Sequence, residues 1–174
     1  MTKQSTLSLI LLLIISLGCR SLEDLSDTKE QQIEDEINKK EVPHLSFKET
    51  YYVSAYAEIK GLEKRKRTPC ITVLNLRNPS LSDTLYFTKV DYYNSNAELI
   101  ERHIKEEGVI ELTPLKSAEF VIEKNINESN GSHIIVEYGG VTPPKNKALI
   151  EAVNIGNFSQ HGFSFKSDVV QIHE

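Results

Sequence analysis

The sequence predicts an all-β protein, a sandwich of antiparallel strands preceded by a signal segment and an acidic tether. Three observations carry this reading. From Thr50 onward, apolar side chains recur at every second position, the period of a half-buried strand. The runs are short and closely spaced, with Asn, Gly, Pro and Ser between them, as in sandwiches and barrels. No run of ten or more residues shows convincing helical periodicity.

In order along the chain, Tyr51, Val53, Ala55, Ala57 and Ile59 alternate with Tyr52, Ser54, Tyr56 and Glu58. After a charged turn, Cys70, Thr72, Leu74 and Leu76 face one way, and the run stops at Asn78-Pro79-Ser80, a turn signal. Thr84 to Tyr93 is rich in Tyr, Phe, Thr and Val, which favour strands. Asn94-Ser95-Asn96 closes that run, and Glu98 to Ile104 reads as the returning arm of a hairpin. Val109 to Leu112 forms a short strand before Pro114. Alternation resumes at Ala118, Phe120 and Ile122, and again at Ile134, Val136 and Tyr138. Gly139 to Pro144 reads as a stiff loop, Ala148 to Ile155 as a strand ended by Gly156, and Phe163 to Ile172 as the last one or two strands. The total is about eight or nine strands, an immunoglobulin-like sandwich over residues 50–174. The chain has no tryptophan, so the Cys…Trp…Cys framework of antibody domains is excluded.

Residues 1–49 follow a different rule. One cation, Lys3, precedes an apolar run from Leu7 to Leu17. That run is too short for a membrane span, which needs about 20 apolar residues, and it matches a secretory signal. Ser16-Leu17-Gly18-Cys19 resembles a bacterial lipobox, although Ser16 stands where Leu or Val is usual. The resemblance implies a signal peptide over 1–18 and a lipid on Cys19. Between Arg20 and Pro43 there are eight acids and four bases. Apolar residues are too few there to bury a face, so residues 19–49 read as a lipidated N-terminus and a solvated tether. With Cys19 lipidated, Cys70 has no disulfide partner and reads as a small buried hydrophobe.

Across 174 residues, 25 acids against 20 bases give a net charge of −5, which argues against nucleic acid as partner. The five histidines show no metal-ligand spacing, and no Cys-x-x-Cys, His-Glu-x-x-His or Gly-x-Ser-x-Gly occurs. Glu101 and His103 share a strand face and could offer two ligands, but a solvated face explains them better. No cofactor or metal is expected. Lys64, Arg65, Lys66 and Arg67 form a basic turn, read either as a contact with an anionic surface or as a charged loop that blunts edge pairing.

Several segments resemble a bacterial family of exported proteins catalogued as domain of unknown function 3124. They are Tyr51-Tyr52-Val53, Val73 to Asn78, Val90 to Ser95, Phe120 to Glu123, Ile135 to Tyr138, Ile150 to Gly156 and Gly162 to Ser167. Asn96-Ala97 departs from the Asp-Gly usual in that family. The resemblance implies an exported, compact β domain and no catalytic residue. The expected function is therefore a binding or accessory module of the cell envelope. It would be held on the membrane through Cys19, on the periplasmic or surface face, and would grip an envelope protein or cell-wall polymer. An envelope hydrolase or metal-dependent enzyme with a site hidden from sequence is the alternative. The partner-binding candidates are two loops: Pro143 and Pro144, which stiffen one, and Phe158 and His161, which lie between glycines in the other.

Overall fold

In a computed structural model, residues 42–60, 67–123, 131–158 and 161–173 are described. They form eleven strands: β1 (Phe47–Ser54), β2 (Glu58–Lys60), β3 (Arg67–Arg77), β4 (Leu85–Asn94), β5 (Leu99–Arg102), β6 (Ile110–Leu112), β7 (Ser117–Ile122), β8 (Gly131–Gly140), β9 (Leu149–Phe158), β10 (His161–Lys166) and β11 (Val169–Ile172). All pairings are antiparallel. In the first sheet the order is β11-β1-β8-β4, and β5 and β6 share the free edge of β4. In the second it is β10-β9-β3, and β2 and β7 share the free edge of β3. Each sheet is thus built on one long strand flanked by two short ones end to end.

The alternation read from the sequence is the alternation of burial. Leu74 and Leu76 of β3, Leu85, Phe87 and Val90 of β4, and Ile134, Val136 and Tyr138 of β8 are fully buried. The sandwich core lies between these inward faces. The register of β4 shifts between Phe87 and Lys89, a bulge that keeps both Phe87 and Val90 pointing inward.

Two places raise the strand number above the eight or nine expected. After Ser54 the chain leaves the first sheet, and at Ala57 it already accepts the Cys70 N–H of β3 (3.0 Å). At Ser167-Asp168 it crosses back: Ser167 N–H donates to Ala152 of β9 (2.9 Å), and Asp168 accepts from Ser54 N–H of β1 (3.0 Å). One sequence run therefore supplies a strand to each sheet. At the first crossing Asn154 is completely buried. Its side chain accepts from Tyr56 N–H (3.2 Å) and Thr72 Oγ1 (2.8 Å) and donates to Ser167 Oγ (2.7 Å).

Three boundaries differ from expectation. β1 starts at Phe47, so Glu49, assigned to the tether because it precedes the alternation at Thr50, belongs to the sheet and is buried. Gly139 and Gly140 end β8 rather than open a loop. A side chain at Gly139 would put its Cβ 2.3 Å from the Phe47 carbonyl, so only glycine allows β1 to pair there. Gly156 lies inside β9, opposite Phe163, whose ring tip occupies the place of a Cβ. Both glycines serve close approach, and neither has a positive φ. At the β4–β5 turn Ala97 does adopt φ 63°. The turn is held by Asn94 Oδ1, which accepts from Asn96 N–H (2.9 Å) and Glu98 N–H (3.0 Å).

Candidate functional site

Two arrangements of polar and aromatic side chains stand out. The first surrounds Glu49, which β1 turns inward beside Tyr138 of β8. The Glu49 carboxylate accepts from Tyr138 Oη (2.6 Å), Tyr51 Oη (3.0 Å), Gln171 Nε2 (3.1 Å) and Lys147 Nζ. Burial pushes the Glu49 carboxyl pKa upward, but the hydrogen bonds from Lys147, Tyr138 and Tyr51 outweigh it and hold the group below its ordinary value. Tyr138 is fully buried. Burial and its bond to Glu49 keep its hydroxyl protonated far above the ordinary tyrosine range. The same hydroxyl accepts Ala148 N–H (3.2 Å).

A carboxylate offers about four acceptor positions, and here four donors fill them. Glu49 has no lone pair left to act as a general base. Its role is to tie β1, β8 and β11 to the 141–148 segment. That segment is pinned elsewhere too: Ser46 Oγ donates to the Val141 carbonyl (2.7 Å), and Lys145 N–H donates to Asp83 Oδ2 (3.0 Å). Pro143 is exposed and Pro144 half-buried within it.

The second arrangement covers the outward face of the first sheet. Strand register lines up Val170, Tyr52, Ile135, Asp91 and Arg102 in one row across β11, β1, β8, β4 and β5. The adjacent row is Ser54, His133, Tyr93 and Leu99. His133 lies between two tyrosine rings. Its centroid is 4.9 Å from Tyr52 at 19° and 5.4 Å from Tyr93 at 8°. Burial among them lowers the His133 pKa. Asp91 is buried under Arg102 (Nε to Oδ1, 3.2 Å) and accepts weakly from Tyr93 Oη (3.4 Å). Leu99 and Val170 at the margins are 44% and 52% exposed. The stacked rings spend their faces on one another and present edges. The result is an aromatic and aliphatic patch that includes the Arg102–Asp91 pair and is bordered in the next row by Glu137 with Lys48 (3.8 Å) and Lys89 (4.0 Å). The outward face of the second sheet is aliphatic instead, with Ile71, Val73, Val121, Val153 and Ile155.

The residues singled out in the sequence do not gather into one site. Pro143 and Pro144 precede the Leu149 end of β9, whereas Phe158 is its last residue. A ten-residue strand spans about 30 Å at roughly 3.3 Å per residue, so the two candidate segments lie at opposite ends. His161, the first residue of β10, pairs opposite Phe158 and is exposed. Arg67 begins β3 and pairs with Glu58. Lys64, Arg65, Lys66 and the whole lipobox with Cys19 lie outside the described residues. Cys70 is buried, and burial raises its thiol pKa. Sequence reasoning missed the Tyr52, His133 and Tyr93 stack. Each of the three sits at an outward strand position, and only register brings them together.

Among the described residues, no group of three or more His, Cys, Asp or Glu side chains could hold a metal ion. Fold and side chains together define an all-β sandwich with two antiparallel sheets, a saturated buried carboxylate and an aromatic outer face. The chain belongs to a family of proteins of unknown function, DUF3124, whose model matches residues 48–172 and so takes in nearly every strand. No curated protein and no solved structure matches it.

Proposed function

We propose that the protein is a non-enzymatic binding module of the bacterial cell envelope. It is anchored by a lipid on Cys19 and engages an envelope protein through the outward face of the first sheet. The observation that carries this reading is the pair of registered rows that brings Tyr52, His133, Tyr93, Leu99 and Val170 onto one surface. Tyrosine and arginine are the side chains most enriched where proteins grip one another, and Arg102 closes one row. The anchor rests on the sequence: a short apolar run that ends at Gly18-Cys19.

A photo-crosslinking residue placed at Val170 or Leu99 of the full chain tests the face. Both positions should trap the same protein in the native membrane, and Val121 on the other sheet should trap none. Crosslinks from Val121 alone, or from no position, would overturn the assignment. For the anchor, the Cys19→Ala chain should leave the membrane fraction after mild washing. Retention with an unchanged mass would remove lipidation from the proposal.

A further inference from the structure

His103 directly follows β5 and reaches the second sheet. Its ring packs on Phe120 of β7 with centroids 5.4 Å apart, and its N–H donates to the Val90 carbonyl of β4 (2.9 Å). The imidazole is almost enclosed, with 12% of the side chain exposed. Its Nδ1 lies 3.5 Å from Glu101 Oε1, whereas Nε2 is buried and meets no hydrogen-bond partner. This is the arrangement of a neutral ring with its proton on Nδ1. A second proton would place an N–H at Nε2, which is buried and meets no hydrogen-bond acceptor.

Apart from the Arg102–Asp91 pair (3.2 Å), little else holds β5. It contains no fully buried side chain, and its register with β4 is irregular after Tyr92. Ile104 and Val109, which follow, are 1% exposed and Leu112 is 3% exposed, so the β6 side of this segment stays seated. We infer that His103 is an acid-sensitive latch for β5: protonation of its imidazole loosens Leu99 to His103 from the edge of β4 while the rest of both sheets stays folded.

The charges around the ring act in both directions. Glu101 and Asp91 favour the cation, Arg102 and Glu106 form ion pairs beside it, and Phe120 is the contact from the second sheet. Burial outweighs the two carboxylates and lowers the His103 pKa from its ordinary 6.5. A histidine whose folded pKa is depressed stabilises the fold fully above its unfolded value. That contribution is lost as pH falls below 6.5 toward the folded pKa.

Amide hydrogen exchange of the full chain, corrected for intrinsic rates, tests the latch. Between pH 7.5 and pH 5.0 protection of Leu99 to His103 should fall several-fold, because the released ring takes up a proton below its ordinary 6.5 that the enclosed ring resists. Protection in β3, β8 and β9 should hold. In His103→Phe, which fills the same slot without titrating, β5 protection should not depend on pH. Unchanged protection in the native chain, a loss spread evenly over both sheets, or a loss that persists in His103→Phe would overturn the inference. If that variant does not fold, His103→Gln takes its place with the same expectation. Titration of the native His103 ring by NMR gives a further check, because a midpoint at or above 6.5 would also overturn it.

Discussion

Replacing Glu49 with alanine removes the acceptor on which four donors converge. Tyr138 is the one that cannot recover. Its hydroxyl is completely enclosed, and an orphaned buried donor costs about 1–3 kcal/mol. Tyr51 and Gln171 are half-buried and reach water. The truncated side chain leaves a small void, which adds about 1 kcal/mol. The expected loss is about 2–4 kcal/mol, or roughly 10 °C of melting temperature for a domain of this size. The pH dependence gives a sharper test. Because the folded Glu49 pKa is depressed, its contribution is present above the unfolded value of about 4.5 and is lost as pH falls through the folded value. Urea unfolding followed by tyrosine fluorescence, in a chain without tryptophan, measures both quantities. The gap between native and Glu49→Ala chains should be wide at pH 7 and narrower at pH 3, where the part linked to the depressed pKa is lost and the part due to packing remains. A variant within about 0.5 kcal/mol of native at pH 7, the range of an ordinary surface change, would refute the reasoning. So would a gap that does not depend on pH.

Gly139→Ala should destabilise by about 1–3 kcal/mol, the cost of forced overpacking, because its Cβ would meet the Phe47 carbonyl. Gly162→Ala, with its nearest atom 4.0 Å away, should leave the melting temperature unchanged. Ala97→Gly should stabilise by about 0.5–1 kcal/mol, since a left-handed alanine costs about 1–2 kcal/mol and glycine gives back part of this as chain entropy; a lower melting temperature would contradict the turn geometry. Asn154→Ala should cost about 3 kcal/mol by orphaning Thr72 Oγ1 and Tyr56 N–H. Thr72→Val in the same chain should recover part of that loss, as a denaturation cycle of the four chains would show.

What was legible in the sequence was the inward face. The runs Cys70 to Leu76 and Ile134 to Tyr138 alternate cleanly because one side of each strand meets the core and the other meets water. Glu49 precedes the alternation at Thr50 and so falls with the tether until the donors from β8, β11 and residue 147 are brought to it. Glycine misled at positions 139 and 156 because its turn preference is local, whereas its use there is to let a neighbouring backbone or ring come close. The docking face was hidden for a related reason. Tyr52, Tyr93 and His133 are separated by about 40 residues each, and a strand's outward positions carry no periodic signal that says which strand lies beside it. The candidates that were picked, Pro143, Pro144, Phe158 and His161, came from loop chemistry, which sees a segment's stiffness but not its neighbours.

The position of β1 has a mechanical consequence. The chain enters the domain through this strand, which lies inside the first sheet with β8 on one side and β11 on the other. Tension on residue 42 therefore runs along β1 and loads its eight register pairs with β8 in parallel. A hairpin at a sheet edge would instead open one pair at a time. Tyr52 projects from that same strand, and His133 from the neighbour that shares the load. A pull between the N-terminal side and a partner on the outward face would pass through two strands of one sheet. The second sheet and the polar crossing at Asn154 would stay off the force path.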